Sequence, residues 1–144
     1  MIRIRAALEN DAARVDAFYA SLGKSATSSE SHLVLIAEEE DAIIGAVRLC
    51  VEGGCLVLRT MVVREEFRKQ GIGRRMLLAL EGFMREGDCY CLAYPHLLAF
   101  YGSVGFVKIA EHDAPDHIRE RYARYTSGGM RFAIIKRPKG AAGR

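Results

Sequence analysis

Apolar positions change period along the chain in an order that lays out its elements. Residues 2–5 alternate as a strand, and Ala12, Val15, Phe18 and Tyr19 then recur at helical spacing behind Asn10 or Asp11, either of which can cap a helix. Gly23 ends that helix, and residues 23–31 are polar and without period, a loop. Residues 33–38, 42–51 and 55–63 read as three strands, joined by the acidic Glu39-Glu40-Asp41 turn and by Gly53-Gly54, an antiparallel meander. Ile72, Met76, Leu77, Leu80, Phe83 and Met84 then mark a helix over 71–85. A β-prone run at 89–93 precedes a second helix over 95–104, with Pro95 suited to its first turn. Short strands at 106–110 and 130–136 enclose a helix over 115–125, where Ile118, Arg121, Tyr122 and Tyr125 share a face. No internal repeat is apparent.

At 144 residues, half of them hydrophobic and 27% charged, the chain is expected to form one domain with a core that needs neither disulfide nor metal. Its boundary is placed at residue 136, because residues 137–144 are rich in Gly, Ala and basic side chains and read as a disordered tail. The longest apolar runs, such as Leu33-Val34-Leu35-Ile36-Ala37, are too short to span a bilayer, and charges continue from Arg3 to Arg14 without a signal-like apolar stretch. A cytoplasmic protein with no membrane partner is expected. A net charge of +3 does not argue for nucleic acid, and it has the sign expected of a domain that holds a polyanionic small ligand. Cys50, Cys55, Cys89 and Cys91 contain no C-x-x-C knuckle, so free buried thiols and no metal site are expected.

The chemistry is concentrated at Arg68-Lys69-Gln70-Gly71-Ile72-Gly73, between the strand ending Met61-Val62-Val63 and the following helix. Glycines at 71 and 73 allow positive φ and close backbone approach. Several N–H groups can then converge on an anion that the helix dipole already favours. A Walker loop would need G-x-x-x-x-G-K-[ST], which is absent, and a dinucleotide fingerprint fails at Met76, where its third glycine belongs. The pattern R/Q-x-x-G-x-G/A fits at every defined position. With Phe100-Tyr101-Gly102-Ser103-Val104-Gly105-Phe106 downstream, matching F-Y-x-x-x-G-F, the chain resembles the GNAT superfamily of acetyl-CoA-dependent N-acyltransferases over nearly its whole length.

That resemblance implies an α/β (α+β) fold with a mixed, mostly antiparallel central sheet flanked by helices. It also implies acetyl-CoA as co-substrate without a metal, and transfer of acetyl to a primary amine. The cofactor's pyrophosphate would be held by Arg68, Lys69, Gln70, Gly71, Ile72, Gly73 and Arg74. Its pantetheine would pair with Met61, Val62 and Val63, in a gap opposite residues 89–93. Tyr101 would protonate the departing thiolate, its phenol lying close enough to a thiol in pKa to share a proton.

No strand carboxylate stands where many relatives carry a general base, which leaves Glu52, His96 and His112 as candidates. Tyr94 occupies a position where family patterns often have Asn. Arg48 and Arg59, charges inside apolar strands, suggest with His96 an acceptor site for an acidic or amino-acid-like amine. Arg119, Arg121 and Arg124, on the C-terminal helix, either contribute to such an acceptor site or form a solvated helix face. A small-molecule amine is the expected partner, and a homodimer is compatible with the sequence. A protein N-terminal or lysine acetyltransferase, and a non-catalytic acetyl-CoA-sensing protein, remain alternatives.

Overall fold

The computed structural model describes residues 1–26, 28 and 31–141. Thr27, Ser29 and Glu30 of the expected loop, and Ala142, Gly143 and Arg144 of the expected tail, lie outside the described residues. Contacts divide the chain into two units, Met1–Val51 with Leu58–Leu80, and Glu52–Val57 with Glu81–Arg144.

In the first unit, β1 (Ile2–Ala6), β2 (Leu33–Glu39), β3 (Ala42–Glu52) and the later part of β4 (Cys55–Val63) follow one another as hydrogen-bonded neighbours. β1 pairs β2 antiparallel with Ile4 opposite Ala37, and β2 pairs β3 antiparallel with Leu35 opposite Val47. Val34 to Ala37 are all buried, so β2 is covered on both faces, and its continuous apolar run follows from that cover. α1 (Ala12–Ser21) sets Val15, Phe18 and Tyr19 against Val34, Ile36, Ile43 and Ala46. α2 (Ile72–Glu81) seats Met76 against Gly45, where a Cβ would stand 3.2 Å from Met76 Cε and 3.3 Å from the Val62 carbonyl oxygen. A bare strand residue therefore lets Met76 of α2 close onto β3.

Asp11 stands at the head of α1, yet its carboxylate makes no capping bond to that helix. It accepts instead from the Leu8 N–H at 2.7 Å, from Arg5 Nη1 at 2.8 Å and from Arg14 Nη1 at 3.0 Å. Glu38, beside it, accepts from Arg5 Nε at 2.8 Å, Arg14 Nη2 at 3.1 Å and Arg3 Nη2 at 3.2 Å. Both carboxylates are buried, and the arginines hold Asp11 far below, and Glu38 down to about 2 from, the usual carboxylate range. A depressed folded-state pKa gives stability that is fully present above the unfolded value near 4.5 and is lost as pH falls through about 2. Glu38→Gln should therefore unfold at lower denaturant than the parent at pH 7, and the gap should narrow steadily once pH drops below about 4.5. A gap that stays constant from pH 7 to pH 3 in urea titrations would mean that the charge of Glu38 contributes nothing.

In the second unit, β4 pairs β5 (Cys89–Ala93) in parallel, at Leu56 with Cys89 and Val57 with Tyr90. β5 pairs β7 (Ala133–Arg137) antiparallel, with Cys91 opposite Ile135, and β6 (Val107–Lys108) pairs the other side of β7. α3 (Leu98–Gly102) leads into β6, while α4 (Asp116–Ser127) packs Ile118 and Tyr122 with Val57, Tyr90 and Ile134. Among the described residues, seven strands in the order β1-β2-β3-β4-β5-β7-β6, with β4 and β5 a parallel pair, make the mixed, mostly antiparallel sheet with flanking helices that the sequence implies.

Several boundaries differ from the sequence expectation. α2 stops at Glu81 and not at 85, since Gly82 follows; Met84 nevertheless stays buried, its N–H on the Glu81 carbonyl at 3.1 Å. β7 begins at Ala133 and not at 130, because Gly129 takes φ 92° and the Met130 N–H closes the end of α4 on the Tyr125 carbonyl at 3.1 Å. The expected tail also starts too early. Arg137 closes β7 fully buried, with Nε on the Val104 carbonyl at 2.7 Å and Nη2 on Glu81 Oε2 at 3.2 Å and on the Ala141 carbonyl. The Lys139 N–H bonds Asp88 Oδ1 at 2.8 Å, and the Gly140 N–H bonds the Arg85 carbonyl at 3.2 Å. Residues 137–141 thus belong to the second unit. No helix among the described residues is long and apolar enough to cross a membrane.

Candidate active site

In the first unit, β4 ends at Val63, a single 3-10 turn at Glu65–Phe67 follows, and Arg68 to Gly71 then lead into α2. Arg68 Nε donates to the Val63 carbonyl at 3.0 Å, which fastens the loop back onto the end of its own strand. Lys69 takes φ 64° and Gly71 φ 78°, both left-handed, before Ile72 begins the helix. A left-handed residue followed by a helical one turns successive N–H groups toward one point, an anion-binding nest, and the first turn of α2 adds N–H groups that have no acceptor within the helix. A Cβ at Gly71 would meet no atom within 4 Å, so the space beside this glycine is open.

Of the two glycines expected to take positive φ, Gly71 does, whereas Gly73 lies inside α2 with ordinary backbone. The second left-handed position is Lys69, which sequence reasoning did not foresee. Gly45 was missed too, although an isolated glycine in a strand pattern is a signal of close backbone approach.

Further along β4 toward its start, Thr60 takes φ 51° in the middle of the strand. Arg48, buried in β3, reaches Thr60 Oγ1 and Ser31 Oγ at 3.4 Å each. Arg59 is half-buried. Met61, Val62 and Val63 are half-buried and lie beyond the two-residue register with β5.

The second unit carries Tyr101 and His96. Tyr101, on α3, is buried, and its ring meets Phe100 at 5.1 Å and Phe106 at 5.8 Å edge-on. Gly105 at φ 97° lets the chain double back, so that the Phe106 N–H reaches the Tyr101 carbonyl at 3.4 Å; the spacing of the F-Y-x-x-x-G-F run is explained by that return. Burial, and then the neighbouring Cys91, whose sulfur accepts a hydrogen bond from its hydroxyl, push the Tyr101 phenol well above the usual tyrosine range. It remains a neutral donor, and it is a weaker acid than the sequence expectation of a phenol close to a thiol in pKa. Burial raises the Cys91 thiol as well.

Exposed His96 stacks on Tyr94 at 5.8 Å, and Tyr94 stacks on Phe132 at 5.0 Å. Of the other candidate bases, the Glu52 carboxylate is engaged by Arg121 from α4, and His112 is exposed beside Asp113 at 3.6 Å. The structure therefore brings together Met61–Val63 and Arg68–Arg74 in the first unit, and places Tyr101 and His96 in the second. None of the four cysteines is in a disulfide, and no metal-holding cluster occurs among the described residues.

An acetyltransferase (GNAT) domain model matches residues 30–108, more than half of the chain. The chain belongs to the GNAT acetyltransferase family. No curated protein sequence matches it. Solved structures agree in fold. N-acetylglutamate synthase from Neisseria gonorrhoeae, solved with coenzyme A and N-acetyl-glutamate, superposes with TM-score 0.70 at 18% identity over 96% of this chain. The chain spans only 35% of the length of that enzyme. Rv2747 from Mycobacterium tuberculosis, solved with coenzyme A, gives 0.69 at 15% identity over 94% of this chain and 98% of its own. The ribosomal-protein-S18-alanine N-acetyltransferase from Escherichia coli gives 0.66 at 16%, over 100% and 97%.

Proposed function

We propose that this protein transfers the acetyl group of acetyl-CoA to the primary amine of a small molecule of amino-acid type. The observation that carries the reading is the nest at Lys69–Ile72 at the head of α2, open beside Gly71, which suits a pyrophosphate and sits on a family match. N–H groups of residues 69–74 hold the pyrophosphate, Lys69 and Arg74 add charge, and backbone groups of Met61–Val63 pair with pantetheine. In the transfer the amine nitrogen bonds to the thioester carbonyl carbon, the C–S bond breaks, the nitrogen gives up a proton and the sulfur takes one. Tyr101 donates its hydroxyl to that sulfur. Its high pKa favours a hydrogen bond to the developing thiolate over complete loss of the phenolic proton.

Arg59 receives the acceptor's carboxylate, a role its planar fork suits, and the N-acetyl-glutamate held by a structural relative is in keeping with an acidic acceptor. Arg59→Lys retains charge without the fork, and Arg59→Met loses both. KM for an acidic amino acid should rise in the order parent, Lys, Met, the full loss amounting to ~1.5–3 kcal/mol. A neutral amine should show no trend. The amine panel includes a peptide with N-terminal alanine, because the S18-alanine enzyme matches the full length of the chain. If that peptide or a neutral amine is the best acceptor and the Arg59 variants are indifferent to acceptor charge, the amino-acid reading fails.

A further inference from the structure

Thr60 is the one β-branched residue in left-handed backbone among the described residues, and it lies inside a strand. The other non-glycine residues with positive φ, Glu40, Asp41 and Lys69, are in a hairpin turn and the loop before α2. A left-handed residue within a strand is the geometry of a bulge that normally takes glycine, and in threonine it persists only where surrounding contacts hold it. Those contacts are present at both polar ends of the residue. The Tyr19 hydroxyl donates to the Thr60 carbonyl at 2.9 Å, and Arg48 Nη2 reaches Thr60 Oγ1 at 3.4 Å. Tyr19 comes from α1 fully buried, and burial drives its phenol far above the usual range, so it is a donor at every working pH. A core tyrosine whose hydroxyl serves a strained peptide one residue before Met61 does more than fill space. A bulge turns the peptide planes that follow it away from the regular ladder, and here those planes belong to Met61–Val63.

We propose that Tyr19 is a positioning residue. By clamping the Thr60 carbonyl it holds the bulge, and the bulge aims the backbone groups of Met61–Val63 at the pantetheine arm of acetyl-CoA. The inference rests on the reading of Met61–Val63 as the pantetheine-pairing segment.

The test is calorimetric titration of the parent, Tyr19→Phe, Thr60→Gly and the double variant with two probes, acetyl-CoA and adenosine 3′,5′-bisphosphate, which lacks pantetheine. Phenylalanine keeps the buried ring and removes only the hydroxyl, while glycine adopts left-handed backbone unaided. Tyr19→Phe should weaken acetyl-CoA by about five- to tenfold, the worth of one buried hydrogen bond, and leave the bisphosphate unchanged. In the Thr60→Gly background the same change should weaken acetyl-CoA by less than about twofold, because glycine needs no clamp. Unchanged acetyl-CoA affinity in Tyr19→Phe, an equal loss for both probes, or the full loss in the Thr60→Gly background would each overturn the clamp. A parent that binds acetyl-CoA no more tightly than the bisphosphate overturns the pantetheine reading itself, a result distinct from the other three.

Discussion

Gly71→Val should weaken acetyl-CoA binding by about a hundredfold or more while the protein stays folded. Gly71 holds φ 78°, where a β-branched residue is strained, and a valine there would project into space that no protein atom within 4 Å occupies. The side chain meets no protein atom in that space and blocks the approach of the anion. Each charged hydrogen bond to phosphate is worth ~1.5–3 kcal/mol, so losing two of the converging N–H contacts accounts for an effect of that size. Gly71→Ala should fall in between, since it carries the backbone strain with a much smaller obstruction. Calorimetry with a thermal melt as control checks both. A folded Gly71→Val that binds like the parent would mean that the loop does not hold the cofactor.

Tyr101→Phe should lower kcat by about a hundredfold and leave acetyl-CoA affinity close to the parent's. Phenylalanine retains the edge-on packing against Phe100 and Phe106 and removes only the donor, whose contribution is greatest when charge develops on sulfur. Loss of the hydrogen bond to Cys91 should cost about 1 kcal/mol of stability, small beside the kinetic effect. Where chemistry limits turnover, an unchanged kcat removes Tyr101 from the reaction.

The parts of the molecule legible in the sequence are those fixed by local period and by glycine. The meander, α2 and the left-handed turn at Gly71 follow from apolar spacing and from a residue type that needs no tertiary support. The parts that were not legible depend on distant partners. Nothing local marks Thr60 or Lys69 as left-handed, and Thr60 is held by a tyrosine from α1 and an arginine from β3. Arg137 stands in a run of basic residues that reads as solvated, but its guanidinium is buried on Glu81, Val104 and Ala141. Asp11 has the right residue type for a helix cap and is instead drawn onto Arg5 and Arg14, since a buried carboxylate gains more from two guanidiniums than from one amide. Tyr101 lies on its expected helix, while the burial and the Cys91 thiol that raise its pKa are set by tertiary packing that its own segment does not show.

The central claim is that this protein acetylates an amine with acetyl-CoA. The direct measurement follows free thiol released from acetyl-CoA and N-acetylated product by mass spectrometry, in one reaction, across acidic, neutral and basic amines and a peptide with N-terminal alanine. The account predicts thiol release that requires an amine, equals the product formed, is fastest with an acidic amino acid and is lost in Gly71→Val. Tight binding of acetyl-CoA with no amine acetylated anywhere in the panel would contradict it, and would mark the protein as one that senses the cofactor without turning it over.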